Sequence, residues 1–164
     1  MTDAKKKVIY LMGSLRNEKV PYMANKLREL GFEVFDDWFS PGPEADDFWR
    51  KYEKARGSTY KEALNNWAGK HVFEFDHYHL DRSDIGVLYM PAGKSCHLEI
   101  GYLIGKGKPA FILFDKEPER WDVMYQFVFL TGGNVCFSFD DLKSSLELLV
   151  IPKNNSNNSI DVSW

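Results

Sequence analysis

Three short apolar runs constrain the fold most. Val8-Ile9-Tyr10-Leu11-Met12, Ile85-Gly86-Val87-Leu88-Tyr89 and Ala110-Phe111-Ile112-Leu113-Phe114 carry no charge and do not alternate. A strand with one wet face alternates polar and apolar residues, whereas a strand covered on both faces does not. The segments between these runs have helical spacing. Residues 18–30 place Tyr22, Met23, Leu27 and Leu30 on one stripe, and Gly31 closes it as a C-terminal cap. Residues 70–82 put Val72, Phe75, Asp76, His79 and Leu80 on one face, and helices are also expected over 95–106 and 139–149. "FEVFDDW" (32–38) reads as a second strand, "PERWDVMYQF" as a helical turn region and "NVCFSF" (134–139) as a fifth strand. Strands alternating with helices predict an α/β fold with a parallel sheet.

The length, 164 residues, suits one domain over 1–150, followed by a polar tail over 151–164 that ends in Ile160, Val162 and Trp164. Residues 41–69 open on "PGPEADD" and are rich in Trp, Tyr and charge, which predicts an insertion or lid with short helices. Trp38, Trp49, Tyr52, Tyr60 and Trp67 either form a small core there or close over a planar ligand. A net charge of −3 argues against a general polyanion binder. Cys96 and Cys136 read as two reduced, buried thiols. With no apolar run of signal or membrane length, the expectation is a cytoplasmic protein with no membrane or nucleic-acid partner.

In an open parallel sheet, ligands bind beyond the carboxyl ends of the strands. Four stretches converge there. After the first run comes "GSLRN": Gly13 permits close backbone approach, Ser14 offers a hydroxyl and Arg16 a fork for an anion, although an ordinary turn reads equally well. Asp36 and Asp37 follow the second strand, where Asp37 suits a sugar hydroxyl or a solvated turn; no spacing supports a metal. Asp76 stands among apolar neighbours, with His79 on its face as a possible partner; His71, His77 and His79 match no metal box. Finally, "PAGKS" forms a backbone cradle of Gly93, Lys94 and Ser95 at a helix start, with Ser95 as the expected N-cap. Glu99 follows Ser95 by four residues, so both share a helix face. A carboxylate so placed can attack an anomeric carbon, and a second carboxyl can protonate the departing base. No cofactor or metal is required.

These residues resemble the nucleoside 2-deoxyribosyltransferase superfamily, which includes the 2′-deoxynucleoside 5′-monophosphate N-glycosidases. The resemblance runs over most of 7–115 and is carried by "VIYLMGSLR", by "DHYHLDRSD" with Asp76 eight residues before Asp84, and by "PAGKSCHLEIGYLIGKGKP". It implies a flavodoxin/Rossmann-like three-layer sandwich around a central parallel five-stranded sheet. It further implies Glu99 as nucleophile and Asp76 as its acid partner. Tyr10 falls on the family's first strand, beside its sugar- or phosphate-facing loop, and Asp122 and Met124 fall where some members contact the base. It also implies a homo-oligomer, a homodimer or higher, whose tail completes a neighbour's site in some members. Six residues before the nucleophile, relatives carry an acid or a Ser for the 5′ group; this chain has Gly93, followed by Lys94 and Ser95. Together with Arg16 they favour a phosphate there.

The expected function is cleavage or transfer at the N-glycosidic bond of a (deoxy)nucleoside or its 5′-monophosphate. Two alternatives stand beside it. "PAGKSCHLE" is loosely similar to the Pro-Gly-Gly-x-Gly-Thr-x-x-Glu motif of phosphoribohydrolases acting on modified adenine nucleotides, without its later Gly and Thr. The other is a nucleotide-binding module without turnover, which would have no need of a desolvated nucleophile.

Overall fold

The computed structural model describes residues 5–150; the tail with Ile160, Val162 and Trp164 lies outside the described residues. Five strands, β1 (Val8–Met12), β2 (Glu33–Phe35), β3 (Ile85–Tyr89), β4 (Ala110–Leu113) and β5 (Val135–Cys136), form one sheet in the order β2-β1-β3-β4-β5. Every pairing is parallel. The expected α/β three-layer architecture is therefore present. The strand order reverses between β1 and β3, and such a reversal opens a crevice at the carboxyl edge of the sheet.

Every residue of β1, β3 and β4 is buried, as the unalternating runs require. The side chains alternate between two cores. Ile9, Leu11, Val87, Tyr89, Phe111 and Leu113 pack with α1 (Val20–Glu29) and α6 (Phe139–Val150). Tyr10, Met12, Leu88 and Ile112 pack on the opposite face with Leu80 of α4 (Trp67–Arg82) and with Ile100 and Leu103 of α5 (Lys94–Gly105). Gly86 is what lets α5 lie so close: a Cβ there would stand 2.7 Å from Leu103 Cδ1 and 3.1 Å from Met12 Cε.

Several boundaries differ from the sequence reading: β5 is confined to Val135–Cys136 within the expected 134–139, α4 begins at Trp67 instead of 70, and two further differences bear on the site. β2 stops at Phe35 instead of running to Trp38, because Asp36 turns to pair with Arg28 of α1 and residues Asp37–Phe39 wind into a 3-10 turn. α5 begins at Lys94 with Gly93, not Ser95, as its N-cap. The Gly93 carbonyl takes the first helical bond, from the His97 N–H, and also lies 2.7 Å from His97 Nδ1. Ser95 is thus already inside the helix, with an exposed side chain.

The 41–69 stretch folds into α2 (Ala45–Ala55) and α3 (Tyr60–Ala63). Thr59 and Glu62 close a capping box at the start of α3. Trp49 and Tyr60 meet edge-on at 6.5 Å, and Trp49 packs beside Gly69 at the start of α4. Trp67, by contrast, is exposed. Among the described residues, no helix is long and apolar enough to cross a membrane.

Candidate active site

Three polar groups from three elements meet on the α4/α5 side of the sheet, beside the β1/β3 reversal. Tyr10 comes from β1, where its alternation sends it to that face, and it is almost wholly buried. Its hydroxyl donates to Glu99 Oε1 at 3.4 Å. Glu99 stands beyond the first turn of α5, so it lies among Cys96, Ile100 and Leu103 and not at the solvated helix start. Asp76 comes from the middle of α4, and its Oδ1 is buried without a hydrogen-bond partner.

The electrostatics follow from that burial. Loss of water raises Glu99, the nearby Asp76 charge raises it further, and the Tyr10 bond opposes both; the carboxyl is pushed up to about 7. Burial also pushes Asp76 up to about 6. Tyr10 is raised as well, first by burial and then by the two carboxylates, so it stays a neutral donor. Between about pH 6 and 7 the two acids together hold roughly one proton, a property of the pair more than of either residue. Glu99 is the higher of the two, so that proton rests mostly on Glu99, and an ionised Glu99 beside a protonated Asp76 is the less populated arrangement of the pair.

The loop after β1 closes the site on one side. Gly13 accepts the Cys96 thiol proton through its carbonyl at 3.2 Å, which ties this loop to α5 one turn before Glu99. A Cβ on Gly13 would meet Val20 Cγ2 at 3.1 Å and the Tyr89 carbonyl oxygen at 3.4 Å, so a side chain here would crowd both neighbours. Ser14 shapes the loop, its Oγ accepting the Arg16 N–H at 3.1 Å. The Arg16 guanidinium is three-quarters exposed and 3.8 Å from the Asp47 carboxylate of α2, an arrangement weak enough for an anionic ligand to displace. Lys94 and Ser95 are exposed at the start of α5, and beside Gly93 there is open space where a Cβ would go.

The remaining expectations divide. Asp37 is exposed in the 3-10 turn. Asp122 accepts the Met124 N–H at 2.9 Å and so caps its own turn over Val123–Thr131, while Met124 is exposed. That segment is held to α5 by Tyr125, which stacks on His97 and lies 3.0 Å from its Nε2. His79 does not partner Asp76. It accepts from Arg82 Nε at 2.7 Å and stacks flat on Phe35 at 3.8 Å, and burial followed by the Arg82 charge lowers its pKa. His77 instead lies 2.8 Å from the Tyr102 hydroxyl. Among the described residues, no three His, Cys, Asp or Glu side chains converge as metal ligands do.

Cys96 and Trp38 belong to this neighbourhood; Cys96 was not among the sequence candidates for the site, and Trp38 was one of five rings expected either to form a small core or to close over a planar ligand. The Trp38 indole N–H donates to the Leu11 carbonyl at 2.7 Å. The place of each depends on where β2 ends and α5 begins, which the sequence did not show.

No family model matches the chain, and no curated protein matches it in sequence. Among solved structures, the CMP N-glycosidase BcmB of Clostridium botulinum superposes with a TM-score of 0.51 at 15% sequence identity. The match covers 86% of this chain and 99% of that one. At this identity the likeness is one of fold, and it places the chain among α/β proteins of the same architecture.

Proposed function

We propose that the protein breaks the N-glycosidic bond of a nucleotide or nucleoside by a two-step displacement at Glu99. The observation that carries this reading is the half-buried pair of carboxyls from α4 and α5, one of them bonded to Tyr10 and the other with a buried oxygen that has no partner, at the reversal point of a parallel sheet. In the first step the ionised Glu99 attacks C1′ and the C1′–N bond breaks. The bonding electrons leave on the base, which takes a proton from Asp76 or from solvent. Tyr10 holds Glu99 in place and favours its charged form. In the second step an acceptor adds to C1′ and frees Glu99, with Asp76 taking the acceptor's proton. Water as acceptor makes the protein a hydrolase, and a second base makes it a transferase.

A nucleoside 5′-monophosphate is the first substrate to test. Arg16, Ser14, Lys94 and Ser95 supply cationic and hydroxyl groups around one loop, Gly93 leaves room beside them, and the structural neighbour is a CMP N-glycosidase. We further propose self-association through the exposed apolar side chains of α4, among them Trp67, Val72, Phe73 and Tyr78, each more than half exposed.

Chromatography of a nucleoside and nucleotide panel after incubation tests the reading. Base release by the parent chain, lost in Glu99→Gln with binding retained, is the expected result. Full turnover in Glu99→Gln overturns it, and binding without any release favours a nucleotide-binding module. A free acceptor base in the same assay separates transfer from hydrolysis, and sedimentation of the parent chain tests the association.

A further inference from the structure

We propose that Trp38 is the aromatic wall of the substrate crevice, the surface on which the planar base stacks while its glycosidic bond is broken. This rests on the nucleotide reading above and adds the residue that would hold the base.

β2 ends at Phe35, opposite Tyr10, so β1 extends past it. The Leu11 carbonyl would otherwise lie at an unpaired edge, and the Trp38 indole N–H takes it at 2.7 Å. That bond fixes one end of the ring on β1. The other end reaches the loop after β1, where Trp38 Cη2 would lie 3.8 Å from a Cβ on Gly13. The indole therefore runs alongside the carboxyl end of β1, from Leu11 to Gly13. It packs against both cores, and on the α4/α5 side it joins the cluster that contains Tyr10, Met90 and Ala92. Cys96 bonds to Gly13 from the opposite side, and Glu99 follows on the same helix. Trp38 thus reaches this loop from beyond β2, and Cys96, one turn before Glu99, reaches it from α5.

The ring is only partly buried, and its one polar atom is already satisfied. What it offers a ligand is a fixed π-face. Every base has such a face, and the stacking is indifferent to the ring's hydrogen-bonding edge. Trp38 would thus give affinity for a base without choosing among bases.

The experiment titrates nucleoside monophosphates and ribose 5-phosphate into the Glu99→Gln protein by calorimetry, with and without Trp38→Leu. The expected result is a dissociation constant about tenfold weaker for nucleotides, with ribose 5-phosphate unchanged. Trp38→Phe, which keeps one aromatic ring and loses the indole's second ring and its N–H, should restore part of the nucleotide affinity. Should Trp38→Leu fail to fold, indole emission decides. Nucleotide, but not ribose 5-phosphate, should quench the Glu99→Gln protein, and the quench should shrink in the Trp38→Phe background. Equal weakening of both ligands, or no weakening, overturns the proposal while leaving the function intact if the parent chain still releases base. If the parent releases no base and the Glu99→Gln protein binds no nucleotide, the functional reading fails and takes this inference with it.

Discussion

Asp76 and Asp81 occupy the same helix, α4, five residues apart, and burial sends one pKa up while hydrogen bonds send the other down. Asp76 has a buried oxygen with no partner and is pushed up to about 6. Asp81 accepts from Lys106 and from the Tyr102 hydroxyl, has His77 3.6 Å away, and is held down to about 2. Asp81 ties the outer surfaces of α4 and α5 together, and Asp76 sits between the same helices and the sheet. The same side chain is structural where partners surround it and chemically poised where they are withheld.

The largest effects should come from the buried acids. Glu99→Gln should lower kcat about a thousandfold or more, and Asp76→Asn about a hundredfold or more, in the base-release assay. Asp81→Asn should leave kcat unchanged and only lower Tm, with a smaller loss at high salt. A kcat loss in Asp81→Asn as large as that in Asp76→Asn would erase the contrast between the two acids.

Next in size is the pH dependence. The singly protonated pair is the working form. kcat/KM should therefore fall below about pH 6, where both acids are protonated, and fall above about pH 7, where the pair has lost its last proton. A flat profile from pH 5 to 8 would show that the pair does not carry the reaction. Tyr10→Phe should cost about tenfold in kcat and move the alkaline limb upward, because the bond it removes favours ionised Glu99, the higher of the two acids.

The smallest effect separates the two acids by stability alone. A carboxyl whose folded pKa is raised binds its proton more tightly in the native state, so native stability drops as pH climbs from about 4 toward 7. At pH 8 Glu99→Gln should thus be more stable than the parent by about 1–2 kcal/mol, less than the full linkage value because the site is partly solvated. Asp81 has the opposite sign: its contribution is present above about pH 4 and disappears as pH falls through about 2. Denaturant melts of the parent, Glu99→Gln and Asp81→Asn at pH 5 and 8 would show whether the signs differ.

Much of this was legible in the chain. The runs around Leu11, Val87 and Ile112 announced strands covered on both faces, and Glu99 stood out as a charge in an apolar helix. Asp76 was visible because its neighbours on α4 are apolar, although several of those, Val72 and Phe75 among them, prove exposed in the single chain. What could not be read were contacts decided by termini and by packing. The N-cap moved from Ser95 to Gly93 because His97 bonds to the Gly93 carbonyl. His79 went to Phe35 and Arg82 because the last turn of α4 lies over β2. Trp38 came to the site only because β2 ends early.

Gly86 bears on how such a site can drift over generations. The hydrogen in place of its side chain acts as a shim between sheet and helix: Leu103, which lies over it, stands one turn beyond Glu99 on α5 and has no exposed surface into which to retreat. A larger residue at 86 would force Leu103 Cδ1 and Met12 Cε to give way, and Leu103 sits on the helix that carries Glu99. The packing beneath Glu99 is therefore set partly by a position that carries no side chain of its own. A chain that kept every polar group of the site but changed this one floor residue would look intact on inspection and be misaligned.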